Sequence, residues 1–497
     1  MGDSESHRAD SIREAILKFG IVPIVGLFYI LTVLQIEYTP DDTYIYAQYA
    51  RHLAEGKGFS FNNETPSYGV TGPLWAMLIA GGAFVGIDPI VVAKSLDLVF
   101  ASLAVLLAYI VGVAIIRDKW YALLGALLFS TDAWFLRWSG SGMDASLAVL
   151  LALLVIRHLH QNEYITASIL SGLLTLVRPE GALLFGVVLV DNFLNSTNRR
   201  LALKVGLICS ALFAIIVGSW LVFAYAHFGQ VVPNTILAKS SAGFSLPAAW
   251  HILKTEAAIL GSTQAVPIAA LFVSLFFLAR SKQPNVVVLE GISLLWVVML
   301  LLFYVLFNVQ VVSRYLIPIT PFVIIMALWG LKKMDEKFEW SSRRRLLVLS
   351  LVALFTVLQN QFLYHGTVVP HKEGFAVGMK DALLPIANWL RENASDEDII
   401  LTPDIGLLGY VSEKKLYDTA GLITPEVRRA FGATEYYEAI ATRQYEKVVQ
   451  PTYVVDRFAH AERLSAPDMI PLMTREFPSL SITGPGTVFY TLYRVKR

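Results

Sequence analysis

The order of apolar and polar positions divides this chain into two unlike parts. Long apolar runs recur at 20–36, 90–116, 120–136, 145–159, 164–178, 181–195, 201–225, 264–280, 285–308, 315–332 and 346–362. Each is read as a membrane-spanning helix, since about 20 consecutive apolar residues cover a hydrocarbon core of ~30 Å. The runs at 120–136, 145–159, 164–178 and 181–195 sit near the short limit for spanning. The stretch "GPLWAMLIAGGAFVGI" (72–87) is apolar too, but it is short and carries Gly and Pro. It is predicted to lie at the interface or to re-enter rather than to cross. Residues 363–497 follow another pattern, with an amphipathic helix in "DALLPIANWLREN" and strand-like runs "DIILT", "TYVVD" and "TVFYTLYRV" between turn residues. The expected architecture is an α-helical polytopic membrane protein of about 11 transmembrane helices (1–362), followed by a small soluble α/β domain (363–497).

Composition supports the membrane reading and narrows the partners. Hydrophobic residues make up 55% of the 497 positions and charged residues only 16%, where soluble domains carry about 25%; the mean hydropathy is +0.57. A net charge of +1, with no basic stripe interleaved by aromatics, argues against a nucleic-acid partner. The single cysteine, Cys209, lies in an apolar run, so neither a disulfide framework nor a thiolate metal site forms within one chain. The first 19 residues are polar and lack a small-residue cleavage site, so the first apolar run is expected to stay as a helix.

Lysine and arginine in the short connections set an orientation. With the N-terminus in the cytoplasm, one side receives Arg8, Arg13, Lys18, Arg117, Lys119, Arg157, Arg199, Arg200, Lys204, Arg280, Lys282, Lys332, Lys333, Lys337 and 343–345. The other side receives Arg51, Lys57, Arg137, Lys239 and Lys254, with Arg178 and Arg314 near helix ends. By the positive-inside rule this puts loop 37–89 and everything after 362 outside the cytoplasm. The expected location is the inner (plasma) membrane, multi-pass.

The candidate chemistry begins with two adjacent carboxylates just past the first run. "Thr39-Pro40-Asp41-Asp42" reads as a helix start, with Thr39 as N-cap, Pro40 first and the acids in the first turn. Capping alone accounts for that string. The same helix continues with Tyr44, Tyr46, Gln48, Tyr49, Arg51 and His52, groups that suit a polyol, and the loop after it adds Tyr68 and Trp75 beside glycines. Asp144, in "SGSGMDAS", starts another run and is equally a helix-dipole contact or a second functional acid. Cations inside apolar segments cost roughly 2.5–3.5 kcal/mol each and so are paired or functional. Lys94 pairs with Asp97 one turn on or snorkels; Arg178 is best read as a local pair with Glu180 in "RPEG". Asp404, Gly406, Gly409, Tyr410, Asp418 and Gly421 read as turn formers, and no histidine has metal-ligand spacing.

"DDTYIYAQYARHLAEGKGFSFN…PSYGVTGPLWAMLIA" resembles the first non-cytoplasmic loop of GT-C glycosyltransferases. The likeness is to the mycobacterial arabinofuranosyltransferases that add terminal β-(1→2) residues and to related bacterial polyprenyl-phosphate-dependent enzymes. "WSGSGMDASLAVLLALL" (138–154), "FGQVVPNTILAKSS" (228–241), "SRYLIPITPF" (313–322) and "PDIGLLGYVSEKKLYDTAGLITPEV" (403–427) fit the same family in order, so the resemblance covers nearly the whole chain. It implies a polyprenyl-phosphate sugar donor, a glycan or glycolipid acceptor, inverting transfer, and a first-loop carboxylate as general base. That base is Asp41 or Asp42, with Asp41 slightly preferred and Asp42 left to cap. The resemblance further implies donor-phosphate contacts from Lys94, Lys239 and Arg314, substrate contacts from Tyr44, Gln48, Tyr68, Asn234 and Tyr315, and a role for Asp144 in orienting the acceptor. If a divalent cation (Mg or Mn) takes part, Asp41, Asp42 and Asp144 are its expected ligands. The competing class is a transporter or flippase, which predicts repeat symmetry and interrupted helix pairs rather than acids gathered in one outer loop; a receptor or scaffold leaves that polar cluster unexplained.

Overall fold

The computed structural model describes residues 20–35, 37–63, 65–239, 245–280, 284–432, 434–459, 468–482 and 486–496, apart from the side chains of 237–239 and 284–289. Helices occupy the predicted apolar runs. Ala145–Leu159 and Gly181–Asn195 keep their predicted limits, and Pro89–Ile116, Tyr164–Val177 and Arg199–Phe228 shift by three residues at most. Their starts have a local cause. The side chains of Asp88, Asp118 and Asn198 each accept two backbone N–H groups at the beginnings of Pro89–Ile116, Lys119–Ser130 and Arg199–Phe228. Gly229, at φ +72°, closes the last of these in the left-handed region where a Cβ is unfavourable. In Leu246–Arg280 the helix kinks at Gln264, three residues before Pro267, whose ring blocks the carbonyl a turn earlier.

Among the described residues, five helices are long and apolar enough to cross a membrane: Pro89–Ile116, Arg199–Phe228, Leu246–Arg280, Ser313–Phe338 and Ser342–Asn393. Shorter apolar helices, including Ile21–Val33 and Ala145–Leu159, pack among them. The protein is therefore a multi-pass membrane protein. Ser313–Phe338 is almost wholly buried and forms the centre of the bundle. Arg199–Phe228 and Ser342–Asn393 instead leave apolar faces outward, with Leu207, Ile215, Val222, Leu347, Phe355 and Phe362 exposed, as lipid-facing helices do. The stretch predicted to be interfacial forms the helix Pro73–Phe84, whose 12 residues span only about 18 Å at ~1.5 Å per residue.

Several features differ from the sequence reading: the run at 120–136 forms two helices, Lys119–Ser130 and Ala133–Trp138, and the run at 264–280 is the second part of Leu246–Arg280. The first-loop helix runs Asp41–Ala54, with Pro40 rather than Thr39 at the cap position, and no side chain caps it. Ser342–Asn393 continues through the expected domain boundary at 362–363, passing two π-helical turns before it ends. The strands follow directly. In chain order, β1 (Ser60–Asn62) and β2 (Thr65–Pro66) pair in the first loop, and β3 (Ile399–Thr402), β4 (Lys415–Asp418), β5 (Tyr453–Phe458), β6 (Met469–Phe477) and β7 (Val488–Val495) form one sheet. Its order is β4-β3-β5-β7-β6, parallel in the first three and antiparallel in the rest.

Period-two alternation gives this sheet two buried faces. Ile400, Val455, Tyr490 and Leu492 join the core shared with the helical part. Leu401, Val454, Tyr493 and Val495 turn the other way, onto Val427, Phe431, Ile440 and Tyr445. The sheet is thus packed against the first loop and does not hang from a linker. Asn62 exchanges hydrogen bonds with the backbone of Leu416, and Arg51 donates to the Tyr410 carbonyl at 3.0 Å.

Candidate active site

Four connections meet over the end of the buried central helix and line an open cavity of about 190 Å³. The first-loop helix supplies Asp42, Ile45 and Tyr46, and the glycine-containing loop after it supplies Gly69, Val70 and Thr71. Met143 and Asp144 come from the turn before Ala145–Leu159, Arg178 and Glu180 from the turn after Tyr164–Val177, and Arg314 and Tyr315 from the start of Ser313–Phe338. Thr235, Ile236, Phe303, Tyr304 and Val309 complete the wall, with Leu422 reaching in from the sheet portion. One end is charged and the rest is largely apolar.

Local structure aims the charged groups. Arg178 precedes Pro179, which drives its backbone to an extended φ of −145° and ends the helix there. Its guanidinium donates to Asp144 at 2.7 Å and to the Arg314 carbonyl at 3.1 Å, with Glu180 at 3.8 Å. Asp144 occupies the N-cap position but caps nothing; its carboxylate is given over to Arg178. Arg314 donates to Asp42 at 2.5 Å. Both arginines lie 5.5 Å from the Tyr315 ring, which is stacked on Tyr304, and the Tyr304 hydroxyl donates to Glu180 at 2.9 Å. The turn bearing Asp144 is held against the first-loop helix: Thr43 donates to the Ser141 carbonyl, and a side chain at Gly142 (φ +86°) would strike Thr43. Two ion pairs, Asp42–Arg314 and Asp144–Arg178, therefore stand side by side in one cavity.

The Asp144–Arg178 pair is buried, with side chains 5% and 6% exposed. Removing one partner of such a pair strands a charge in a poorly solvated site at a cost of about 3–5 kcal/mol. Arg178→Gln is accordingly expected to lower the thermal unfolding midpoint of the purified protein clearly. An unchanged midpoint would mean that the pair is solvated.

The structure divides the residues predicted for the site. Asp42, Asp144, Arg314 and Tyr315 come together in the cavity. Asp41 does not: one step along a helix turns it about 100° away, and its two oxygens accept the backbone N–H groups of Gly406 and Leu407, both at 2.8 Å. Of the two, Asp42 and not Asp41 lines the cavity, and neither acid caps its own helix. Burial, and next the Asp404 carboxylate, push Asp41 up to about 7. Asp404 and Gly406, read as turn formers, have other duties, since Asp404 binds Arg457 and the Tyr490 hydroxyl while Gly406 receives Asp41.

Four residues predicted to contact substrate lie outside the cavity lining and have partners within the protein. Tyr44 lies against Tyr410, and the Gln48 amide donates to the Phe61 carbonyl at 3.1 Å. Tyr68 accepts from the Trp220 indole and stacks on Phe228; Asn234 donates to the Leu422 carbonyl at 3.1 Å. Lys94 sits outside the cavity lining, where it feels Asp97 and Glu37. The Lys239 side chain lies outside the described residues, although its helix, Asn234–Lys239, brings Thr235 and Ile236 to the cavity. No group of three His, Cys, Asp or Glu side chains capable of holding a metal occurs among the described residues. Asp41, Asp42 and Asp144 each face a different partner: the Gly406 and Leu407 N–H groups, Arg314 and Arg178. Arg178 does lie near Glu180, as its sequence neighbourhood suggests, but Asp144 is closer; Thr71 and Tyr304 carry no sequence signal, and only the Arg-Pro junction marks a side chain held off its helix.

The fold is that of solved GT-C glycosyltransferase structures. ArnT from Cupriavidus metallidurans in its apo state superposes with a TM-score of 0.59 at 12% identity, covering 95% of this chain and 98% of that one. The same protein bound to undecaprenyl phosphate gives 0.58 at 14% identity, with 95% and 98% covered. Mycobacterial arabinofuranosyltransferase AftD, as the R1389S mutant, gives 0.55 at 14%; this chain is 96% covered and spans 41% of AftD. A family model described as "Domain of unknown function (DUF8728)" matches residues 376–492, the end of the long helix and the sheet. No curated protein matches the sequence.

Proposed function

We propose that the protein is a membrane glycosyltransferase that moves a sugar from a polyprenyl-phosphate donor to a hydroxyl of a glycan or glycolipid acceptor at the non-cytoplasmic face. The observation that carries this reading is the cavity: one charged end with two arginines and three carboxylates, continued by an apolar wall. That division suits a donor with a charged phosphate sugar and a lipid tail. The fold shared with ArnT, which has been solved with undecaprenyl phosphate bound, supports the same donor class. The excess of lysine and arginine on the opposite side supports an N-terminus in the cytoplasm and the sheet outside it.

The chemistry is a single displacement with inversion. The acceptor oxygen bonds to the anomeric carbon as the bond from that carbon to the phosphate oxygen breaks. The acceptor proton passes to Asp42, and the polyprenyl phosphate departs with the electron pair. Phosphate is a good leaving group and needs no acid, whereas a hydroxyl is a poor nucleophile without a base. Arg314 holds Asp42 until the donor arrives. A phosphate competes for that guanidinium bidentately, and the freed carboxylate is then the stronger base. Arg178 adds positive charge, Lys239 is assigned to the donor phosphate from the sequence resemblance alone, and Asp144, held by its ion pair with Arg178, orients the acceptor.

The test is transfer itself. Purified protein is incubated with radiolabelled polyprenyl-phosphate pentose or hexose and a membrane glycolipid extract. Labelled glycolipid is expected from at least one donor, and Arg314→Gln is expected to reduce it about a hundredfold, as loss of a charge-stabilising group does. Movement of a labelled lipid across vesicles without any transfer would replace this reading with a transporter.

A further inference from the structure

Behind the cavity, at the same end of the bundle, lies a second group of cations that the reaction does not use. Arg137 and Lys372 are 7% and 6% exposed, and among the described residues no carboxylate comes within 4.0 Å of either. Arg137 lies in the last turn of the short helix Ala133–Trp138; among the described residues its one hydrogen bond is a long 3.4 Å contact to the Tyr38 hydroxyl, and its Nε has no partner. Lys372, on Ser342–Asn393, donates among the described residues only to the Gln35 amide oxygen, at 3.3 Å. Both charges rest near the Tyr38 ring, at 5.8 Å and 5.6 Å. Lys94 adds to the positive field on Lys372, as does Arg137, so three cations converge here from three helices. Lys94 is partly met by Asp97 and Glu37, and Asp97 is itself engaged by Gly142 and Ser141.

A buried charge is normally paired, and aromatic faces alone make weak counter-ions. Two nearly buried cations that share one ring and repel each other leave a gap in the electrostatics that an anion fills. We propose that Arg137, Lys372 and Lys94 form a binding site for a phosphate group, separate from the Asp42–Arg314 pair. Three cations against one ligand fit a doubly charged phosphate monoester better than a carboxylate. The free edge of Arg137 supplies the directed donors that phosphate oxygens accept, and the two lysines supply point charge. The site is one ring away from the candidate active site. Trp138 has Arg137 at 4.9 Å from its centroid and Arg314 at 5.2 Å.

The full-length protein in maltoside micelles carries the test, in an Arg314→Gln background that disables the first phosphate partner. Inorganic phosphate and polyprenyl monophosphate are titrated separately, with thermal unfolding midpoint and bound ³²P as readouts. At least one of them is expected to bind and raise the midpoint. Response to inorganic phosphate assigns the site to a free anion, and response to the lipid alone assigns it to a lipid headgroup. Adding Lys372→Met is expected to weaken binding at least about tenfold, as loss of a charge-assisted contact does. It is also expected to raise the midpoint when no anion is present, because it removes an uncompensated charge; Lys372→Arg is expected to keep binding. The inference is overturned if neither phosphate binds in the Arg314→Gln protein, or if Lys372→Met lowers the anion-free midpoint and leaves binding unchanged. Neither readout depends on sugar transfer.

Discussion

Changing Asp42 to asparagine is expected to reduce turnover of a lipid-phosphate sugar by about 10²–10⁴-fold, the usual contribution of a general base. KM for the donor should change little, because the amide keeps the shape of the side chain and Arg314 keeps its place in the cavity. Asp41→Asn is the matched control. Its position on the helix is adjacent, its charge is the same, and its oxygens are committed to Gly406 and Leu407 rather than to the cavity. It is expected to retain most of the turnover. The comparison is a measurement of kcat and KM for both variants with one donor and one acceptor. Loss of turnover in Asp41→Asn with full turnover in Asp42→Asn would transfer the role of base to Asp41 and sink the assignment made from the cavity.

Why the two acids were hard to separate beforehand follows from what decides between them. In the sequence they are neighbours with one composition and one helix start. In the fold, a rotation of about 100° sends one into the cavity and the other toward a partner 365 positions away. Nothing local encodes that partner. Elements whose limits depend on local chemistry were legible: apolar runs bracketed by Asp88, Asp118 and Asn198 became helices, and "DIILT", "TYVVD" and "TVFYTLYRV" became β3, β5 and β7. The order of the strands and the packing of the sheet on the first loop were not, because they depend on contacts far apart in sequence.

The candidate site divides the same way. Asp42, Asp144, Arg314 and Tyr315 stand in recognisable strings and reach the cavity. Arg178 has Glu180 two residues on and invited a local pairing, yet its closer partner is Asp144, 34 positions earlier, at 2.7 Å. Tyr304 sits inside an apolar run where an aromatic reads as core. Lys372 and Arg137 lie 235 positions apart and reveal a shared environment only through Tyr38.

The sheet portion has a specific mechanical task at this site, and pH exposes it. Asp41 is gripped by two backbone N–H groups of Gly406–Ser412, and a side chain at Gly406 would collide with the Asp41 backbone carbonyl. Because Asp42 follows Asp41 directly, the grip fixes the angle from which Asp42 enters the cavity. Burial and the nearby Asp404 raise Asp41 from 3.8 to about 7 in the folded protein. Between pH 4 and pH 7 the folded state therefore holds a proton that the unfolded chain has released, and folding stability falls as pH rises through that window. Above it the contribution is constant. Thermal unfolding of purified protein from pH 4 to pH 8 is expected to show wild type losing stability relative to Asp41→Asn up to about pH 7, with parallel curves beyond. Gly406→Ala is expected to destabilise the protein by about 1–3 kcal/mol, as overpacking does. It is also expected to lower kcat more than it raises KM, because the displaced first-loop helix carries Asp42 with it. Wild-type kcat in a folded Gly406→Ala protein, or identical pH curves for wild type and Asp41→Asn, would show that the sheet does not position the base.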